Sequence, residues 1–256
     1  MSTRYVAIGD STVEGLEDPG PDGVYVGWAD RLAQHLAAVH PDLLYANLAV
    51  RGLTAGEVRA TQLERAVSLR PDIAVVVAGV NDVLRPRFDA GALRAELFAM
   101  FETLTESGAR VASFTMPDMS RVAPLAVVLR GRIETLNGIV REAGRTRGVA
   151  VADLAAEPLA SDPALWHDDR LHANTEGHRR VALALAEALD VPAEDWRTPL
   201  PPAAEPSRAE VLARETGWVL SHLLPWLWGR VAPRPPEVAR VCKRPDLLPV
   251  EVHQDG

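Results

Sequence analysis

Residues 73–78 are six apolar residues without a break, four of them β-branched. A sheet with one wet face alternates apolar and polar residues, so an unbroken run points to a strand covered on both sides. Similar runs, three of them holding a single polar residue, occupy residues 5–8, 43–48, 111–114 and 149–154. Helical spacing of three and four fills the gaps. It is carried by Trp28, Leu32 and Leu36, by Val58, Leu63 and Val67, and by Leu93, Leu97, Met100 and Leu104. Ile133, Leu136 and Val140 continue the pattern, and Val181, Leu185 and Leu189 follow Asn174, a residue suited to a helix N-cap. Strands alternating with helices predict an α/β chain, a three-layer α/β/α sandwich around a five-stranded parallel sheet. In such sheets the chemistry gathers outside the carboxyl ends of the strands.

The formal net charge is −8 and no Lys/Arg stripe is visible, so a nucleic-acid partner is not expected. One cysteine, Cys242, rules out an intramolecular disulfide. The first residues show no basic region followed by an apolar stretch, and no run approaches the ~20 apolar residues of a membrane span. These features predict a cytoplasmic protein with no membrane contact. More than half of the 20 prolines lie beyond Asp190. The chain therefore divides into residues 1–192 and a Pro-rich extension, 193–256. Within the extension, Ser207 to Glu210 reads as a capping box opening a short helix. Trp218, Trp226 and Trp228 give that helix an apolar side, suited to packing on the domain or to joining a homodimer, and less to lying on a membrane surface, because the helix lacks a Lys/Arg-rich polar face.

Four segments could carry chemistry at the strand ends. Ser11 follows the first strand, in Gly9-Asp10-Ser11. A serine hydroxyl is a poor nucleophile without a base to take its proton. Of the seven histidines, His172 stands out, because it lies in a loop between the last strand and the last helix with Asp169 three residues before it. That carboxylate can fix the imidazole tautomer. His167 and Asp168 are rivals with a poorer spacing. Gly79-Val80-Asn81-Asp82 follows the third strand and offers an amide to a developing oxyanion. Residues 47–52 follow the second strand, begin with Asn47 and end in Gly52, where a backbone N–H can approach a ligand. Taken singly, each segment is explained equally well as a turn or cap.

Taken together and in this order, the four segments resemble the sequence blocks of the SGNH hydrolases, the GDSL-type esterases and lipases. Gly9-Asp10-Ser11 resembles the first block, with Thr12 where the family name has leucine. The resemblance covers about residues 4–190. It implies a flavodoxin-like fold and a catalytic domain over 1–192. It also implies a serine esterase with Ser11, His172 and Asp169 as triad and with Ser11, Gly52 and Asn81 as oxyanion hole. Asp10 and Asp82 take supporting roles on backbone N–H groups. No metal or cofactor is implied. The expected substrate is a small carboxylic ester, with short acyl or acetyl groups first. An acyltransferase on the same triad, a lysophospholipase and a thioesterase are alternatives. A non-enzymatic binding module is disfavoured because every block position is filled, and a phosphate-binding flavodoxin-like protein because no phosphate cradle is present. The segment 14–27, with Gly15, Pro19, Gly20, Pro21 and Gly23, reads as either a pocket edge or a surface loop.

Overall fold

In a computed structural model that describes residues 2–21, 23–201, 216–219, 221 and 241–251, the apolar runs form the strands β1 (Arg4–Gly9), β2 (Leu44–Asn47), β3 (Ile73–Val77), β4 (Arg110–Phe114) and β5 (Ala150–Ala152). All five residues of β3 are buried, as its uninterrupted sequence requires. The first five strands pair in parallel in the order β5-β4-β3-β1-β2. The helices between them are α1 (Ser11–Glu14), α2 (Gly27–Val39), α3 (Ala55–Ser68), α4 (Val80–Leu84), α5 (Ala90–Glu106), α6 (Arg130–Arg147) and α7 (Thr175–Ala188). One helical layer pairs α2 with α7, and the other runs α3, α5, α6.

The chain leaves β1 for β2 on one side and later builds β3 on the other. The topological switch point thus lies between β1 and β3, where ligands bind in open sheets of this order. Ser11 follows β1 and Asn81 follows β3, so both expected site segments lie at the switch.

The sheet has a sixth strand, β6 (Arg244–Pro249), antiparallel to β2. Its sequence, RPDLLP, carries no β signature. Two prolines would break a central strand, but an edge strand has only one neighbour to bond and tolerates them. The extension therefore reaches back into the sheet that the sequence reading closed at five strands. Lys243 fixes it, donating to the carbonyls of Tyr25 (2.9 Å) and Val26 (2.6 Å) and to the Asp30 carboxylate (3.0 Å). The chain beyond α7 is also held, because buried Arg180 donates to the Trp196 and Thr198 carbonyls. Trp226, Trp228 and the residue 207–210 capping box lie outside the described residues.

The Gly-rich segment before α2 is pinned. Its backbone crosses itself so closely that a Cβ on Gly27 would stand 2.3 Å from the Gly15 Cα. Buried Asp18 accepts from the Gly27 N–H (3.0 Å) and takes both prongs of Arg31 at 2.9 Å. His178 of α7 completes the joint. Its Nδ1 accepts the Trp28 N–H (3.1 Å), so Nε2 carries the proton and donates to the Leu16 carbonyl (2.9 Å).

Burial pushes the His178 imidazole down to about 4. The unfolded chain therefore takes up a proton between about pH 6.5 and pH 4 that the folded chain refuses, and stability falls as the pH drops through that window. The expected loss is about 3 kcal/mol. His178→Gln removes the titration, so the stability difference between wild type and variant should shrink by about that amount from pH 7 to pH 4. Urea unfolding across the range checks this, and a constant difference would show that the imidazole is not held neutral.

Candidate active site

Ser11 is the first residue of α1, and Asp10 is its N-cap. The Asp10 carboxylate accepts from the Thr12 N–H (3.1 Å) and the Thr12 hydroxyl (3.0 Å). That capping fixes the turn on which Ser11 stands. Gly9 makes the turn possible, since a Cβ there would meet the Val77 carbonyl oxygen at 2.1 Å. Gln62 of α3 clamps the same residue, accepting from the Gly9 N–H and donating to its carbonyl, both at 2.8 Å.

The loop before α7 brings the imidazole to the serine. Asn174 caps α7 by accepting from the Gly177 N–H at 3.0 Å. Upstream, Asp169 Oδ1 accepts the N–H groups of Leu171 (2.9 Å) and His172 (3.0 Å), which curls residues 169–172 into a tight turn. Asp169 Oδ2 lies 2.7 Å from His172 Nδ1, and His172 Nε2 lies 2.9 Å from the Ser11 hydroxyl. Burial raises the Asp169 carboxyl, but the hydrogen bonds and charge of His172 outweigh it and hold the group down at about 2. An ionised carboxylate only accepts, so Nδ1 carries the proton and Nε2 offers its lone pair to the Ser11 O–H. His167 stands beside this line without joining it, 3.4 Å from Glu17 and 3.6 Å from Asp169.

The turn after β2 is built by its neighbours. Gly52 has φ 85°, a left-handed conformation that suits glycine. Beside it, Arg51 is held by Glu14 of α1, which accepts the Arg51 N–H (3.0 Å) and its guanidinium. Thr54 and Glu57 form a capping box on α3. Asp82 reaches across to accept the Ala55 N–H (2.9 Å). Asn81 Nδ2 donates to the Leu53 carbonyl (3.0 Å) and to Asp10 Oδ2 (3.1 Å), so both of its N–H groups have partners. Burial pushes the Asp10 carboxyl up to about 6, against the lowering effects of Thr12, His172 and Asn81.

Several supports had no role assigned from the sequence. Buried Asn47 donates to the Val13 carbonyl of α1 (2.8 Å) and accepts the Ala49 N–H (3.1 Å), joining the ends of β1 and β2. Gln62 had a faint signal, as a polar residue on the buried α3 stripe with Val58 and Ala66. Trp218 of the extension donates its indole N–H to the Asp169 carbonyl (3.1 Å). Two apolar cavities open against His172, one of about 80 Å³ and one of about 830 Å³. Neither is lined by residues 14–27.

The model of the GDSL-like lipase/acylhydrolase family matches residues 7–180. The chain belongs to this family. It is thus a carboxylic ester hydrolase, and among its described residues no helix is long and apolar enough to cross a membrane. No curated protein matches the sequence. Solved structures share the hydrolase's fold at low identity. LAE5, an alpha/beta hydrolase enzyme from the metagenome of Lake Arreo, Spain, has a TM-score of 0.61 and 21% identity over 75% of this chain and 97% of its own. An Axe2 variant, an acetyl xylan esterase from Geobacillus stearothermophilus, has a TM-score of 0.62 and 19% identity over 76% and 98%. A GDSL-like lipase from Parabacteroides merdae reaches 0.63 with 15% identity over 75% and 97%.

The depressed Asp169 carboxyl adds stability that is present above its unfolded value near 3.8 and disappears as the pH falls through about 2. Asp169→Asn should therefore be less stable than wild type above about pH 5, with a pH-dependent part of about 2 kcal/mol that closes toward pH 2. Chemical denaturation from pH 6 to pH 2 reads this directly. A gap that widens in acid would overturn the assignment.

Proposed function

We propose that the hydrolase cleaves carboxylic esters by a serine mechanism in which Ser11 attacks, His172 moves the proton and Asp169 holds the imidazole. The supporting observation is the unbroken line from Asp169 Oδ2 through both ring nitrogens of His172 to the Ser11 oxygen, with steps of 2.7 and 2.9 Å. As Ser11 Oγ bonds to the ester carbonyl carbon, its proton passes to His172 Nε2, and Asp169 stabilises the imidazolium. The carbonyl oxygen becomes an oxyanion, met by the N–H groups of Ser11 and Gly52 and by the Asn81 amide. His172 then protonates the departing alcohol. Water, losing a proton to His172, attacks the acyl-serine and releases the acid, and Ser11 recovers its proton.

Asn81 makes its contribution at a cost. Both of its N–H groups are engaged, so an oxyanion must take one from Leu53 or from Asp10. The smallest substrates consistent with this reading are acetyl and other short acyl esters.

Hydrolysis of p-nitrophenyl acetate tests the reading. Ser11→Ala should lower kcat by on the order of 10⁶-fold and abolish labelling by a fluorophosphonate probe. Asp169→Ala should cost on the order of 10⁴-fold, and Asn81→Ala 10²–10³-fold, the scale of one lost oxyanion donor. Full activity in Ser11→Ala would sink the serine mechanism.

A further inference from the structure

Trp218 lies outside residues 7–180, where the family model ends, yet it touches the proposed catalytic loop twice. Its indole N–H bonds the Asp169 carbonyl, and the Arg170 guanidinium lies 4.7 Å from the centre of its ring. Arg170 itself has φ 60°, so the loop passes through a left-handed residue directly under the ring. A large aromatic that bonds backbone with its edge and stacks a cation on its face has little freedom to swing.

The ring also forms part of the wall of the 830 Å³ cleft that ends at His172. That volume is in the range of small-molecule sites. Its lining near the reacting groups is aliphatic and thioether: Val80, Met116, Met119 and Ile133. Asn137 fixes this wall by bonding both the N–H (2.8 Å) and the carbonyl (2.7 Å) of Met116. At the mouth, Val128 is 79% exposed and Leu171 36%, an apolar edge left in water. The arginines along the cleft already have partners. Arg130 pairs with Asp118, Arg141 with Asp153 at 2.7 Å, and Arg170 stacks on Trp218. A site of this kind gains affinity from hydrocarbon, at ~0.8 kcal/mol per buried CH₂, and its partnered arginines leave little for an anionic group to recognise.

We propose that Trp218 is a specificity-determining residue: it walls an apolar cleft that takes an unbranched hydrocarbon chain of the ester, so the hydrolase prefers chains well beyond acetyl. This rests on the serine-esterase reading and replaces its short-acyl expectation with a longer chain. The extension thereby supplies part of the substrate site.

The test compares kcat and KM for p-nitrophenyl esters from acetate to decanoate and, in a second arm, for alkyl acetates from ethyl to decyl. The first arm places the chain on the acyl side and the second on the alcohol side. In the wild type, KM should fall on the order of tenfold along one of the two series. Trp218→Ala should lower the long-to-short ratio of kcat/KM in that series by about tenfold, mostly through KM. Trp218→Phe keeps a ring, loses the N–H, and should hold the ratio within about threefold of wild type. The proposal is overturned if wild-type KM is flat along both series, a result that needs no variant to fold. It is equally overturned if Trp218→Ala lowers long and short substrates together, because the ring would then act only through the Asp169 loop. Failure of the underlying esterase reading looks different: Ser11→Ala would keep its activity on the acetate ester.

Discussion

At the carboxyl end of β1 the chain passes so close to β3 that position 9 has no room for a side chain; a Cβ would also press on Val13 at 2.4 Å. This close passage is what the site depends on. The strands on either side of the switch point end together, and their following turns have to diverge from one spot. Ser11 and Asn81, 70 positions apart, are brought to neighbouring loops by the backbone before any side chain acts. The Asp10–Asn81 hydrogen bond then joins the two turns, with no ordered loop needed between them. Gln62 seals the seam by bonding both polar groups of Gly9, whose carbonyl also accepts the Val50 N–H at 3.2 Å.

The polar groups under the site are costly to bury and are retained in a matched set. Asp10, Asn47 and Gln62 are each within 3% of full burial; Asp10 and Asn47 are each bonded to two strand-end segments, and Gln62 holds Gly9 by both of its backbone groups. An unsatisfied buried group costs ~1–3 kcal/mol, so displacing any one turn would strand partners on the next. The network is therefore stiff in the sense that matters for chemistry: the donors around Ser11 cannot move independently. The buried Asp10 charge belongs to the same logic. It sits one residue before Ser11 and favours a positive His172, the state that forms when the Ser11 proton is transferred.

Strand positions were legible from periodicity and the Asp169–His172 pair from its spacing, whereas the arrival of Ser11, 161 residues away, was expected only from the resemblance of the four ordered blocks. The apolar runs needed only periodicity, Asn174 is a cap in sequence and in structure, and the three-residue spacing of Asp169 and His172 suffices for one carboxylate to hold both backbone and ring. What was not legible depends on pairs distant in sequence. Asp82 accepts the N–H of Ala55 at the α3 N-terminus, 27 residues away, with no local signal for that partner. Glu14 and Arg51 are 37 residues apart, and nothing local marks them as partners. Of the five short 3₁₀ turns between β4 and α7, four are set by a proline or an Asp cap rather than by an apolar period.

β6 was missed for a related reason, and it shows why a chain can carry more than its family's domain. A strand with prolines at both ends cannot recruit another strand on its outer side, so it closes the sheet edge as well as extending it. Lys243, next to that strand, turns its ammonium onto the carbonyls that precede α2 and onto Asp30, which in turn accepts from the Tyr45 hydroxyl at 2.7 Å. Tyr45 stacks on Tyr5 of β1 with ring centres 4.8 Å apart. The contacts of the extension thus lead inward to the strand that carries Ser11, while Trp218 bears on the loop that carries Asp169. One segment of chain is fastened to the supports of both partners of His172, and its packing is coupled to the geometry of the site by contact rather than by proximity in sequence.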